Sequence, residues 1–223
     1  MRVLGLDGFR NGWVTVSLDG VGADIAFHND IADALGKPFD RAAIDIPIGM
    51  NDDGDRLCDR LARDALHPHR SRVFTGARRW LWAEFDDPDK ANAEALRRGQ
   101  KRASRQLWHI GRKIMEVDAF VRSHPQLDIR EAHPELVFQR LNAGRPLSSK
   151  KSDEGLSRRR SLLKQRGFQE IDEWLGAGRI GTGAKPDDVL DACAVAIAAL
   201  DPTGSLPEES PRDAYDLPMQ IWF

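Results

Sequence analysis

Residues 2–17 read RVLGLDGFRNGWVTVS, and the fold turns on how this stretch is parsed. Val3, Leu4 and Leu6 form a short apolar run typical of a buried strand, which ends on one carboxylate, Asp7, followed at once by Gly8. Phe9, Arg10, Asn11 and Gly12 turn the chain, and Trp13, Val14, Thr15 and Val16 bring it back as a second strand. An ionised Asp at the end of a core strand has a desolvation cost that a surface Asp does not carry. A cation or a cluster of hydrogen-bond donors would offset that cost; the plainer reading is an Asp that caps its own turn.

Moving outward, residues 23–27 predict a third strand and residues 30–35 a short helix with Asp30 at its cap. Residues 42–49, AAIDIPIG, predict a fourth apolar strand with a second carboxylate, Asp45, inside it. A right-handed crossover returns this strand parallel to the first and beside it. Asp7 and Asp45 then lie near the same ends of adjacent strands, where ligand chemistry gathers in open α/β sheets. Residues 127–130 give a fifth strand leading into Glu131, and Pro134 starts a helix that runs to Leu141 with Glu135 in its first turn.

A third acidic group lies near the other end of the chain. Pro186 fits a first helical position, and Asp187 and Asp188 fall in the first turn, where the helix dipole favours acids. Asp191 lies a turn deeper, in a helix apolar almost all round, and shares a face with Asp188. A buried helix that presents two carboxylates calls for a cation. Four glycines among residues 176–183 read as a flexible loop just ahead of these acids.

Between the acids, residues 55–66 and 89–123 are helical, the second stretch broken near Gly99 or Gly111. Residues 67–82 interleave Arg70, Arg72, Arg78 and Arg79 with Phe74, Trp80 and Trp82. Arginine and aromatic planes suit nucleic-acid backbones and unstacked bases; the alternative is a solvated loop with its aromatics in the core. Arg97, Arg98, Lys101, Arg102 and Arg105 read as a solvated helix face. Residues 148–151 form a polar loop ahead of a helix over 154–166. Its Lys150 and Lys151 join Arg70 and Arg72 as candidate substrate contacts.

The expectation is one domain over residues 1–223: an α/β fold with a mixed five-stranded sheet flanked by helices, and residues 50–125 as a mostly helical insertion. A chain of 223 residues, 41% hydrophobic and 30% charged, can build one sizeable core. Its net charge of -2 gives no global attraction to nucleic acid, so such contact must be local. Only Cys58 and Cys193 are present, without metal-type spacing, which fits a reducing compartment. With no apolar run long enough to span a bilayer and no signal-type start, the expected location is cytoplasmic.

Asp7, Asp45, Asp188 and Asp191, with Glu131 as a further candidate, come from separate elements. Hard cations such as Mg²⁺ or Mn²⁺ are held by a few carboxylates plus waters and phosphate oxygens. Two such ions, roughly 3.5–4 Å apart, activate water and stabilise the leaving oxygen of a phosphodiester. The chain has no G-x-S-x-G and no P-loop.

The opening order of three strands, one helix and a strand, with strand-end Asp7, Asp45 and the helix motif DDVLDA, resembles the RNase H-like superfamily. RuvC-type resolvases are its nearest well-understood relatives. More closely, GLDGFRNGWV, AIDIPIG, SRVF, EAHPE and KPDDVLDA in this order resemble a family of RNase H-like nucleases long described as a domain of unknown function. The resemblance implies a two-metal nuclease site. Asp7 matches the first-strand acid, Asp45 the fourth-strand acid, and Asp188 or Asp191 the C-terminal helix acid. The superfamily more often has its fourth-strand acid at the strand's very end, whereas Asp45 stands in the middle of its motif. Two other readings stay open. One is a catalytically silent nucleic-acid-binding or interaction module. The other is an actin-like or sugar-kinase-like ATPase, although those folds repeat the strand unit and this chain carries one acidic opening.

Overall fold

In chain order the computed structural model, which describes residues 1–223, contains β1 (Val3–Phe9), β2 (Gly12–Leu18), β3 (Ala23–His28), α1 (Ile31–Ala34), β4 (Arg41–Ile44), α2 (Leu57–Ala65), α3 (Arg79–Ala83), α4 (Pro88–Arg97) and α5 (Arg105–Ser123). There follow β5 (Ile129–Ala132), α6 (Pro134–Leu141), α7 (Asp153–Lys164), α8 (Ile171–Leu175), α9 (Pro186–Leu200), β6 (Ser205–Leu206) and β7 (Ile221–Trp222). These divide into two units: Met1–Ile46, Gln126–Gly204 and Trp222–Phe223 form the first, and Pro47–Pro125 and Ser205–Ile221 the second. No helix is long and apolar enough to cross a membrane.

The sheet is mixed and has seven strands in the order β3-β2-β1-β4-β5-β7-β6, not the expected five. The two additional strands, β6 and β7, are two residues each, too short to carry an alternating pattern. β1, β2 and β3 form an antiparallel meander, with Asp7 opposite Val14. β4 returns parallel to β1, pairing Leu6 with Ile44, and β5 runs parallel to β4, pairing Ile44 with Glu131. Asp30 caps α1 as expected, accepting a hydrogen bond from the Asp33 N–H.

In the first unit α9 lies against β1. Every residue of α9 from Val189 to Ala199 is buried, which explains its nearly unbroken apolar sequence. Burying Val189, Leu190, Val195 and Ile197 stabilises this packing by about 1.5–3 kcal/mol for each side chain. Gly5 sets the closeness of approach. A Cβ on residue 5 would sit 2.2 Å from Ala196 N and 2.3 Å from Ala192 O, so the helix backbone rests directly on the strand. Small residues on both sides, Gly5 below and the alanines of α9 above, permit it.

In the second unit the expected helical stretch breaks at Gly99, whose φ of +69° ends the turn after α4. Gly111 does not break α5; a Cβ there would lie 1.9 Å from Trp82 Nε1, so it seats the indole. Arg56 is fully buried and pairs with Asp59 at 2.5 Å, and Arg79 holds Asp118 at 2.6 Å and Asp213 at 2.5 Å. Trp80, Arg78 and Arg79 are buried, so these members of the basic aromatic stretch belong to the unit's packing. The basic face near α4 and α5 is charge-paired: Arg98 with Glu84 and Glu94, Lys101 with Asp55, Arg105 with Asp89.

Candidate functional site

The sheet and α9 bring Asp7, Asp45, Asp188 and Asp191 together within the first unit. Strand side chains alternate, so Asp7 faces the same side as Gly5, toward α9. Ala192 rests on Gly5, and the preceding turn of α9 carries Asp188 and Asp191. β4 ends at Ile44, and the Asp45 N–H extends the ladder by donating to the Leu6 carbonyl at 3.0 Å. Asp45 therefore stands at the strand's end beside Asp7 rather than inside the strand. Pro47, which cannot donate to a ladder, helps to end the pairing.

The electrostatics follow from this placement. Burial pushes the Asp7 carboxyl well above the usual carboxylate range, and repulsion from Asp45, Asp191 and Asp188 pushes the same way. Burial also lifts Asp45 well above that range, followed by repulsion from Asp191. Asp191, 4% exposed, is raised to about 6 by burial, against the pull of Lys150. Its Oδ2 accepts a hydrogen bond from Lys150 Nζ at 2.5 Å, while its buried Oδ1 has no hydrogen-bond partner.

The two helix acids differ in role. Asp188 accepts a hydrogen bond from the Lys185 N–H at 2.6 Å, which ties it to the start of α9. Asp187 lies 3.4 Å from Lys150 Nζ. Burial works against the Lys150 ammonium, but attraction to Asp191 and Asp187 outweighs it and holds the lysine charged.

Glu131 lies inside β5 rather than after it, opposite Ile44, and so by alternation on the sheet face away from Asp7. It is buried, and its charge still adds to the pressure on Asp45. Lys151 is exposed, unlike Lys150. Arg70 and Arg72 belong to the second unit, in a short 3-10 turn, where Arg70 pairs with Asp64 at 3.0 Å.

Sequence reasoning missed Arg159. It is fully buried, donates to both oxygens of Glu135 at 2.8 Å, and donates to the Ser148 carbonyl at 3.0 Å. It thereby neutralises Glu135 and anchors the loop that carries Lys150. The signal was present: Arg159 falls three residues after Leu156 and three before Leu162, in the apolar stripe of α7.

No three His, Cys, Asp or Glu side chains form a ready metal cage. The cation among these acids is Lys150. The donor set nonetheless fits a hard cation: oxygen ligands, raised carboxyls whose charges repel, and a buried Asp191 oxygen with no partner.

Residues 5–212 match the family described as protein of unknown function (DUF429), and the chain belongs to that family. No curated protein and no solved structure matches it.

Proposed function

We propose that this protein is a divalent-metal-dependent nuclease with an RNase H-like fold, hydrolysing phosphodiester bonds of DNA or RNA. The observation that carries this reading is the gathering of Asp7, Asp45 and Asp191 from β1, the end of β4 and α9, with one buried oxygen of Asp191 left unpartnered. The strand order of the meander followed by a parallel β4 supports the fold assignment, since it matches the order in which that superfamily delivers its acids. Buried carboxylates that destabilise one another make sense as ligands held ready for a cation.

Asp7, Asp45 and Asp191 would hold Mg²⁺ or Mn²⁺, with Asp188 at the rim. The bound ion supplies charge to a phosphate oxygen and makes a water more acidic. The chain fixes the acids by rigid means: Asp7 by its strand, Asp45 by its bond to Leu6, and Asp191 by the close seat of α9 on Gly5. Arg70 and Arg72 carry positive charge that suits a nucleic-acid backbone.

The test compares wild type with Asp7→Asn on single-stranded and duplex DNA, RNA and hybrids in Mn²⁺. Hydrolysis should fall to background in the variant while binding persists, because Asp7 holds the ion and basic side chains hold phosphate. Equal residual cleavage by both proteins would overturn the assignment.

A further inference from the structure

We propose that the acid cluster is built for one divalent ion, with the Lys150 ammonium fixed in the place of a second. The inference rests on the metal-dependent reading above and changes its stoichiometry. In a two-ion site one carboxylate commonly bridges both cations, giving each an oxygen. Asp191 divides its oxygens in that way already: Oδ2 accepts from Lys150 Nζ at 2.5 Å, and Oδ1, buried, accepts from nothing. One oxygen is thus committed to a monovalent cation and the other is buried and unpaired.

Lys150 keeps about a third of its side chain exposed, at 34%, but its ammonium is held inward. It bridges Asp191 and Asp187, which lie four residues apart on one face of α9. Its loop is seated from below. Arg159 donates to the Ser148 carbonyl, and a Cβ at Gly155 would lie 2.1 Å from Ser149 O, so α7 presses on the loop backbone. Ser152 then caps α7 through the Gly155 N–H at 3.1 Å. The ammonium is therefore preorganised among the acids rather than recruited by chance.

Like-charge repulsion points the same way: a second divalent ion beside a retained Lys150 ammonium would put two cations on the one Asp191 oxygen that Lys150 already holds at 2.5 Å.

Calorimetric titration of the full-length protein with Mn²⁺, with ion count read separately by electron paramagnetic resonance, decides the matter. Wild type should take one ion, and K150R, which keeps the charge, should also take one. K150Q should take a second, because the position is no longer occupied by positive charge. Asp7→Asn should lose at least tenfold in affinity for the first ion. Two ions in wild type, or still one in a folded K150Q, would overturn the inference while leaving a metal-dependent enzyme in place. If K150Q does not fold, by circular dichroism, the wild-type and K150R counts still decide it. Absence of Mn²⁺ binding to wild type would overturn both this inference and the nuclease reading.

Discussion

Asp213, in the second unit, and Asp7, in the first, are both aspartates with covered side chains, and their carboxyls are displaced in opposite directions. Burial raises Asp213, but Arg79 and the N–H groups of Met50, Leu217 and Tyr215 outweigh it, leaving the carboxyl below the usual range. Asp7 meets burial and three further carboxylates, opposed by the charge of Lys150 and by the Gly8 N–H, which donates to its Oδ1 at 2.8 Å. The second unit spends its buried acids on cohesion: Asp59, Asp118 and Asp213 each have an arginine. In the first unit Glu135 is treated in that way by Arg159, whereas Asp7 and Asp45 are left in mutual repulsion. Acids matched one to one with arginines hold a fold; Asp7, whose bond from the Gly8 N–H at 2.8 Å brings no positive charge, is left short of a cation.

The sharpest way to break this comparison is to remove a guanidinium. Arg79→Ala leaves Asp118 with only Arg122, at 3.4 Å, and Asp213 with only backbone donors, and should destabilise the protein by about 3 kcal/mol, read as a lower urea midpoint. A loss below about 1 kcal/mol would mean that these pairs contribute as little as exposed ones.

Next is the pH dependence. Asp7, Asp45 and Asp191 have folded-state pKa values above those of the unfolded chain, so between the two the folded state binds more protons. Stability of the metal-free protein should therefore fall as pH rises from about 4 through about 6 and beyond, by up to about 1.4 kcal/mol per pH unit for each acid in transit. Asp213 acts in the opposite sense and loses its contribution only as pH falls below the ordinary carboxylate range. Thermal melts from pH 4 to 8 should decline toward neutrality, and saturating Mn²⁺ should flatten the decline. A rise toward neutrality without metal would show that these acids are satisfied.

A smaller effect separates the two kinds of acid directly. At pH 7 Asp7→Asn should raise the melting temperature of the metal-free protein, since it removes a repelled charge, and should abolish the further rise that wild type gains from Mn²⁺. Smallest is Arg70→Ala with Arg72→Ala. The exposed Arg70–Asp64 pair should cost no more than about 0.5 kcal/mol of stability, while the slope of log affinity against log salt should flatten by up to about 2.

Much of this was legible in the chain. Turn residues between two β-rich runs marked the β1–β2 hairpin, and Pro186 before an apolar run marked α9, because both signals are local. Asp45 was misread as lying inside a strand since Ile46 and Ile48 prolong the apolar run past the last paired residue. Periodicity reports burial, not hydrogen bonding. Glu131 shifted for a similar reason, β5 starting and ending two residues later than its apolar pattern suggested. Lys150 was noted as a basic residue on a polar loop, but its partner Asp191 lies 41 residues away, and nothing local in the sequence couples them. Arg159 sat among Arg158 and Arg160, where a run of like charges hides the one that turns inward.

Gly5 makes no bond to any ligand, yet it is the gauge of the chemistry two residues further on. Because α9 rests on bare strand backbone there, the gap between the acid of β1 and the acids of the helix is set by the thickness of a missing methyl group. A substitution as slight as Gly5→Ala would act as a shim. The protein could repack around it and still carry every carboxylate, with the jaws of the site held a fraction too far apart to grip.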